Sequence, residues 1–99
     1  MQISLVSIGF GSVIHAERLI AILNAESAPI RRKIQEARDT GLLVDASYGR
    51  KTRSVLIMDS GQVILSAILP ETITARVEGR APASMVDEAG LPESSDNGI

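Results

Sequence analysis

Leu42-Leu43-Val44-Asp45-Ala46-Ser47-Tyr48-Gly49-Arg50-Lys51-Thr52-Arg53-Ser54-Val55-Leu56-Ile57-Met58 holds the densest information in the chain. Its two apolar ends, residues 42–44 and 55–58, are rich in side chains that suit a pleated, half-buried sheet. Between them lie a glycine, an aromatic and three cations, so the stretch reads as a β-hairpin with a basic tip. Gly49 supplies an unusual backbone angle there. Arg50, Lys51 and Arg53 are costly to bury and must project into water or onto a partner. Arg offers a planar fork of donors that matches phosphate or a guanine edge, Lys a point charge, and Tyr48 a flat face with a hydroxyl. An anionic partner such as nucleic acid fits this set; a solvated surface loop is the plain alternative.

Working outward toward the N-terminus, residues 28–40 read as a helix. Ser27 is a good N-cap, Pro29 sits in the first turn where its missing donor does no harm, and Gly41 ends the run. Ile30, Ile34 and Ala37 form a narrow inward stripe, which leaves Arg31, Arg32, Lys33, Gln35, Glu36 and Arg38 outside. Arg31 and Arg32 lie near the helix start, where cations oppose the dipole, so a partner is one reason to keep them and simple solvation the other. Residues 12–23 suit either a helix capped by Ser12 or a buried strand, and the strand is preferred because a sheet needs neighbours. Ile3, Leu5, Val6 and Ile8 form a first strand, closed by a turn at Gly9-Phe10-Gly11. That Gly-x-Gly is no dinucleotide fingerprint, since Ile14 stands where the third glycine belongs.

Toward the C-terminus, Asp59-Ser60-Gly61 is a turn and residues 62–69 a further strand stopped by Pro70. Residues 71–77 allow one more helical turn. Residues 79–99 are rich in Pro, Gly, Ser and acids, a composition that favours disorder. The organisation is therefore a domain over 1–77 and an acidic tail over 78–99. The fold class is α+β: a small, mostly antiparallel sheet with one main helix.

A chain of 99 residues, 44% of them apolar, holds one globular domain. With no cysteine and only His15, it offers no disulfide, no thiolate metal site and no motif for a cofactor. No nucleophile, base and orienting group cluster in the sequence, and Asp45 and Asp59 read as turn residues, so an enzyme is not expected. No leader or membrane-spanning run is visible, so a cytoplasmic chain is expected. The net charge of −2 conceals an asymmetry. Between Arg18 and Arg53 stand eight cations (Arg18, Arg31, Arg32, Lys33, Arg38, Arg50, Lys51, Arg53) against Glu26, Glu36, Asp39 and Asp45. Such an excess is how a local basic patch looks in sequence. A folded part of about 70 residues without a staple is marginal alone, so self-association is expected.

Several stretches together resemble the extracellular-matrix regulatory family of RemA, small bacterial proteins similar to the LytTR type of DNA-binding fold. These are Ile8-Gly9-Phe10-Gly11, Arg18 with Ile20-Ala21-Ile22, Glu26-Ser27-Ala28-Pro29-Ile30-Arg31-Arg32, the basic stretch from Asp45 to Arg53, and Met58-Asp59-Ser60 with Val63-Ile64-Leu65-Ser66-Ala67. The resemblance spans roughly residues 3–76. It implies a homo-oligomeric ring, an octamer, that binds double-stranded promoter DNA at several spaced sites and activates biofilm-matrix genes. Arg18, Arg50 and the basic residue at 51 are the functional positions it implies; Tyr48, Arg53, Arg31 and Arg32 complete the candidate DNA-binding set. No membrane, cofactor, metal or small-molecule substrate is implied. The chain departs from the family pattern at Lys51, where Arg is usual, at Ala25, where proline is usual, and at Ser12, where Asn is common. RNA binding, or a purely structural or protein-binding ring, is the rival reading, because cations aimed at phosphate do not separate DNA from RNA.

Overall fold

A computed structural model describes residues 4–79; the expected disorder of residues 80–99 lies outside the described residues. The chain runs β1 (Leu5–Gly9), β2 (Ser12–His15), a 3-10 turn (Ala16–Arg18), β3 (Leu19–Asn24), α1 (Ala28–Asp39), β4 (Leu43–Asp45), β5 (Ser54–Met58), β6 (Val63–Ser66) and α2 (Pro70–Val77). Class α+β is what forms, but with two sheets and two helices. β1 and β2 make a two-stranded antiparallel ribbon, and the other strands a sheet in the order β3-β5-β6-β4. The ambiguous segment 12–23 is strand on both sides of the short 3-10 turn, as preferred.

The stretch from 42 to 58 is not a hairpin. β4 pairs in parallel with β6, Leu43 opposite Val63 and Asp45 opposite Leu65, while β5 lies antiparallel between β3 and β6. Residues 46–53 therefore cross over the end of β6 instead of turning back on β4. The apolar runs were recognised as strands, but what each one pairs with is set by contacts distant in sequence. β5 is apolar from Val55 onward because both of its faces are covered, which a two-sided sheet requires.

Successive side chains of the four-stranded sheet point to opposite faces and meet different layers. On one face Leu56 and Ile64 pack with Val6, Ile8 and Ile14 of the ribbon and with Ile73 of α2. On the other, Val55, Val63 and Leu65 pack with Ala37, Ile30 and Ile34 of α1. The inward stripe read for α1 is thus the one that packs. Its cap also forms: the Ser27 hydroxyl accepts from the Ile30 amide at 3.3 Å, and Gly41 follows the helix at φ 77°. α2 exceeds the single turn allowed for it. Pro70 opens two turns whose Ile73 is fully buried, so α2 is part of the packed domain.

Candidate nucleic-acid interface

β3 runs toward one end of the sheet, where Asn24 lies opposite Ser54 and Ser54 opposite Ser66. At this end the chain leaves β3, turns at Glu26 and enters α1, so Arg31 and Arg32 emerge close to the start of the helix. The crossover 46–53 is anchored here as well. The Ala46 amide donates to the Leu65 carbonyl at 2.9 Å, the Arg53 amide to the Ser66 carbonyl at 2.8 Å, and the Ala25 amide to the Arg53 carbonyl at 3.2 Å. Five of the seven positions singled out in sequence, Arg31, Arg32, Lys51, Arg53 and Arg50, are exposed cations on the elements that meet at this end; Tyr48 is the sixth.

The crossover contains a tight turn. Tyr48 and Gly49 have φ of 55° and 78°, and the Arg50 amide donates to the Ser47 carbonyl at 3.0 Å. Positive φ at both central residues is the pattern of a type I′ turn. Asp45 prepares the turn: its Oδ1 accepts from the Ser47 amide at 2.9 Å and from the Ser47 hydroxyl. Those two bonds, the hydroxyl's first, hold the Asp45 carboxyl below its ordinary range, with Arg38 adding a smaller attraction. The turn thus rests on an ionised side chain at neutral pH.

Phe10 arrives from the other sheet and was missed in the sequence. It sits between Gly9 and Gly11 at the tip of the ribbon, with φ of 56°. Its ring centroid is 5.9 Å from that of Tyr48, and the Arg50 guanidinium carbon lies 5.1 Å from the same Phe10 centroid. Both distances suit an aromatic pair and a cation–π contact. The ribbon is tied down behind this tip, because the buried Ser66 hydroxyl donates to the Ile8 carbonyl at 2.8 Å and accepts from the Ile68 amide at 3.0 Å. Only the Gly-Phe-Gly tripeptide signalled that an aromatic was being presented by a turn; nothing local connected it to Tyr48.

Lys51 meets Glu26 at 3.3 Å, with both side chains more than half exposed. Arg18 is placed apart. It lies at the opposite end of β3, about 17 Å along the strand from Asn24, where its guanidinium meets Asp59 at 3.1 Å. There it borders an open groove of about 320 Å³ floored by Ile14, Met58 and Ile64. The chain therefore brings Arg31, Arg32, Tyr48, Arg50, Lys51 and Arg53 to one end of the sheet and leaves Arg18 at the other. Among the described residues, no three His, Cys, Asp or Glu side chains group so as to hold a metal ion, and no helix is long and apolar enough to cross a membrane.

The family described as Extracellular matrix regulatory protein A-like matches residues 5–77, which spans both sheets and both helices. The chain belongs to the RemA-like family. Its RemA-like relatives agree over most of their length. A protein of Moorella thermoacetica is 53% identical over 88 residues, covering 89% of this chain and 97% of the relative. One from Clostridium botulinum strain Hall is 54% identical over 88 residues, again 89% of this chain and 97% of the relative. A third, from Heliobacterium modesticaldum, is 54% identical over 89 residues, covering 90% of this chain and 98% of the relative. All three carry names that mark them as candidate regulatory proteins. The family match and the relatives' names thus agree on a RemA-like protein of the regulatory kind.

Proposed function

We propose that this RemA-like protein is a cytoplasmic, DNA-binding transcriptional regulator that works as a homo-oligomeric ring. The observation that supports it is the gathering of Arg31, Arg32, Arg50, Lys51 and Arg53 at one end of the sheet, beside the start of α1. Cations carried by several elements at one end of the sheet can meet the repeated phosphates of a duplex, and a helix start adds a favourable dipole. Arg18 enters as a second contact, displaced along the sheet toward other phosphates. From the RemA resemblance the proposal takes the octameric ring, the LytTR-type mode of binding, the bacterial promoter target and the activation of matrix genes.

Self-association has its own support. β3 and β4 are edge strands of the larger sheet, each paired on one side only among the described residues. Leu5 and Val13 share the outer face of the ribbon, and Ile20, in the bulge that interrupts the β3 register, is 67% exposed. Edges and apolar side chains left open in this way favour pairing with further copies. A ring multiplies weak contacts, because one bound subunit holds its neighbours near the same DNA.

A gel-shift comparison of duplex DNA, single strands and RNA, run with the parent and with Arg50→Ala, tests the reading. Duplex preference in the parent is expected. If Arg50 neutralises a phosphate, its loss flattens the log-log salt slope by about 0.9 per engaged subunit. Preference for RNA would move the function to the rival reading, and an intact oligomer that ignores every nucleic acid would leave a structural ring.

A further inference from the structure

We propose that Phe10 is a positioning residue of the nucleic-acid interface, holding the Arg50 guanidinium through its ring face so that Arg50 is ordered yet keeps its charge and its donors for an anion. The inference rests on the nucleic-acid reading above and adds to it a residue from the other sheet.

Three cations of the candidate set are held by defined partners, in two ways. Arg18 and Lys51 are each held by a carboxylate, Asp59 at 3.1 Å and Glu26 at 3.3 Å. A phosphate that takes either cation must first compete with that carboxylate. Arg50 is held by a neutral ring at 5.1 Å, and no carboxylate pairs with it among the described residues. The ring carries no anionic charge, so it restrains the guanidinium without neutralising it, and Arg50 still offers N–H donors to an incoming anion. A restrained side chain also loses less entropy on binding.

Backbone geometry singles out the same place independently. Phe10 and Tyr48 are the two non-glycine residues with positive φ among the described residues, and they touch each other. Left-handed backbone costs an ordinary residue about 1 kcal/mol or more and persists where the surroundings enforce it, commonly at functional sites. Here two such turns, one from each sheet, converge on Arg50. A ring needed only to fill space would not require a strained turn at the rim, where Phe10 is only half-buried.

The test uses the full-length protein in two measurements. In the first, a labelled mixed-sequence DNA duplex is titrated with the parent, Phe10→Leu, Arg50→Ala and the double variant. Phe10→Leu is expected to weaken binding about two- to five-fold per engaged subunit, the range of an exposed cation–π contact, and to add nothing once Arg50→Ala is present. Phe10→Tyr, which keeps the ring, is expected to restore the parent affinity. An unchanged Phe10→Leu, or an equal loss with and without Arg50, would overturn the proposal. The second measurement needs no DNA. The chain has no tryptophan, so Phe10→Trp introduces a single indole whose emission reports what covers it. Adding Arg50→Ala to that variant is expected to shift the emission of the free protein; an unmoved spectrum would show that the ring and the guanidinium do not hold each other. If the parent ignores the duplex, the DNA reading fails by the first measurement and the placement of Arg50 is decided by the second.

Discussion

Lys51 is tethered to an anion that a phosphate would have to displace, and Glu26 is accordingly the residue whose removal should help binding. Both partners are more than 60% exposed, and such pairs contribute about 0–1 kcal/mol to stability. Glu26→Gln is expected to leave the melting temperature nearly unchanged while tightening duplex DNA binding at low salt, with the gain fading as salt screens it. Weaker binding in that variant would mean the pair orients Lys51 rather than competing for it. Asp45 gives a second expectation, with its sign fixed by the depressed carboxyl. Its stabilising contribution is complete above the ordinary carboxylate value of about 4 and is lost as pH falls through the lowered folded value. Thermal melts between neutral and strongly acid pH should therefore drop less steeply in Asp45→Asn than in the parent; identical profiles would show the turn does not depend on that charge. At this scale the sequence was informative about chemistry and silent about company. Arg50, Lys51 and Tyr48 became candidates by type and spacing, whereas Phe10 touches Tyr48 across 38 positions of sequence, and no local pattern encodes that meeting.

Elements were legible where their ends are marked by side chains acting on their own backbone. Ser27, Pro29 and Gly41 each act within a turn of α1, so the helix stands where they put it. Strand identity was legible too, through β-branched composition. Pairing was not: residues 42–44 and 55–58 look the same whether they pair with each other or with β6. The length of 46–53 was the available clue, since hairpin loops usually run about two to five residues. α2 was underestimated because Thr72, Thr74 and Pro70 are poor helix formers, and its helix is secured by packing rather than propensity. Ile73, fully buried against the ribbon and the sheet, carries that packing. Ile73→Ala is expected to cost about 2–5 kcal/mol in denaturant titrations. A loss under about 1 kcal/mol would show that α2 is an appendage to the packed domain.

On the scale of the whole molecule, mass and charge are the quantities to measure. Light scattering at micromolar concentration is expected to give a multiple of the 10.5 kDa chain; a monomer mass would remove the ring and its multiplied contacts. Deleting residues 80–99 takes away Asp87, Glu88, Glu93, Asp96 and Arg80, making each subunit more positive by three. The shortened protein is expected to keep its oligomer and to bind duplex DNA as well as the parent or better, most visibly at low salt. Dissociation or precipitation would show that the tail supports the assembly. The bond from Ser66 to Ile8 joins residues 58 positions apart, and it is this bond that fixes the ribbon behind Phe10. During synthesis the corner that gathers Phe10, Tyr48 and Arg50 has no backing until β6 has left the ribosome. If that corner is the phosphate site proposed above, the nascent chain lacks a finished grip on phosphate through most of its translation, and the protein can be made in the midst of messenger and ribosomal RNA without seizing either.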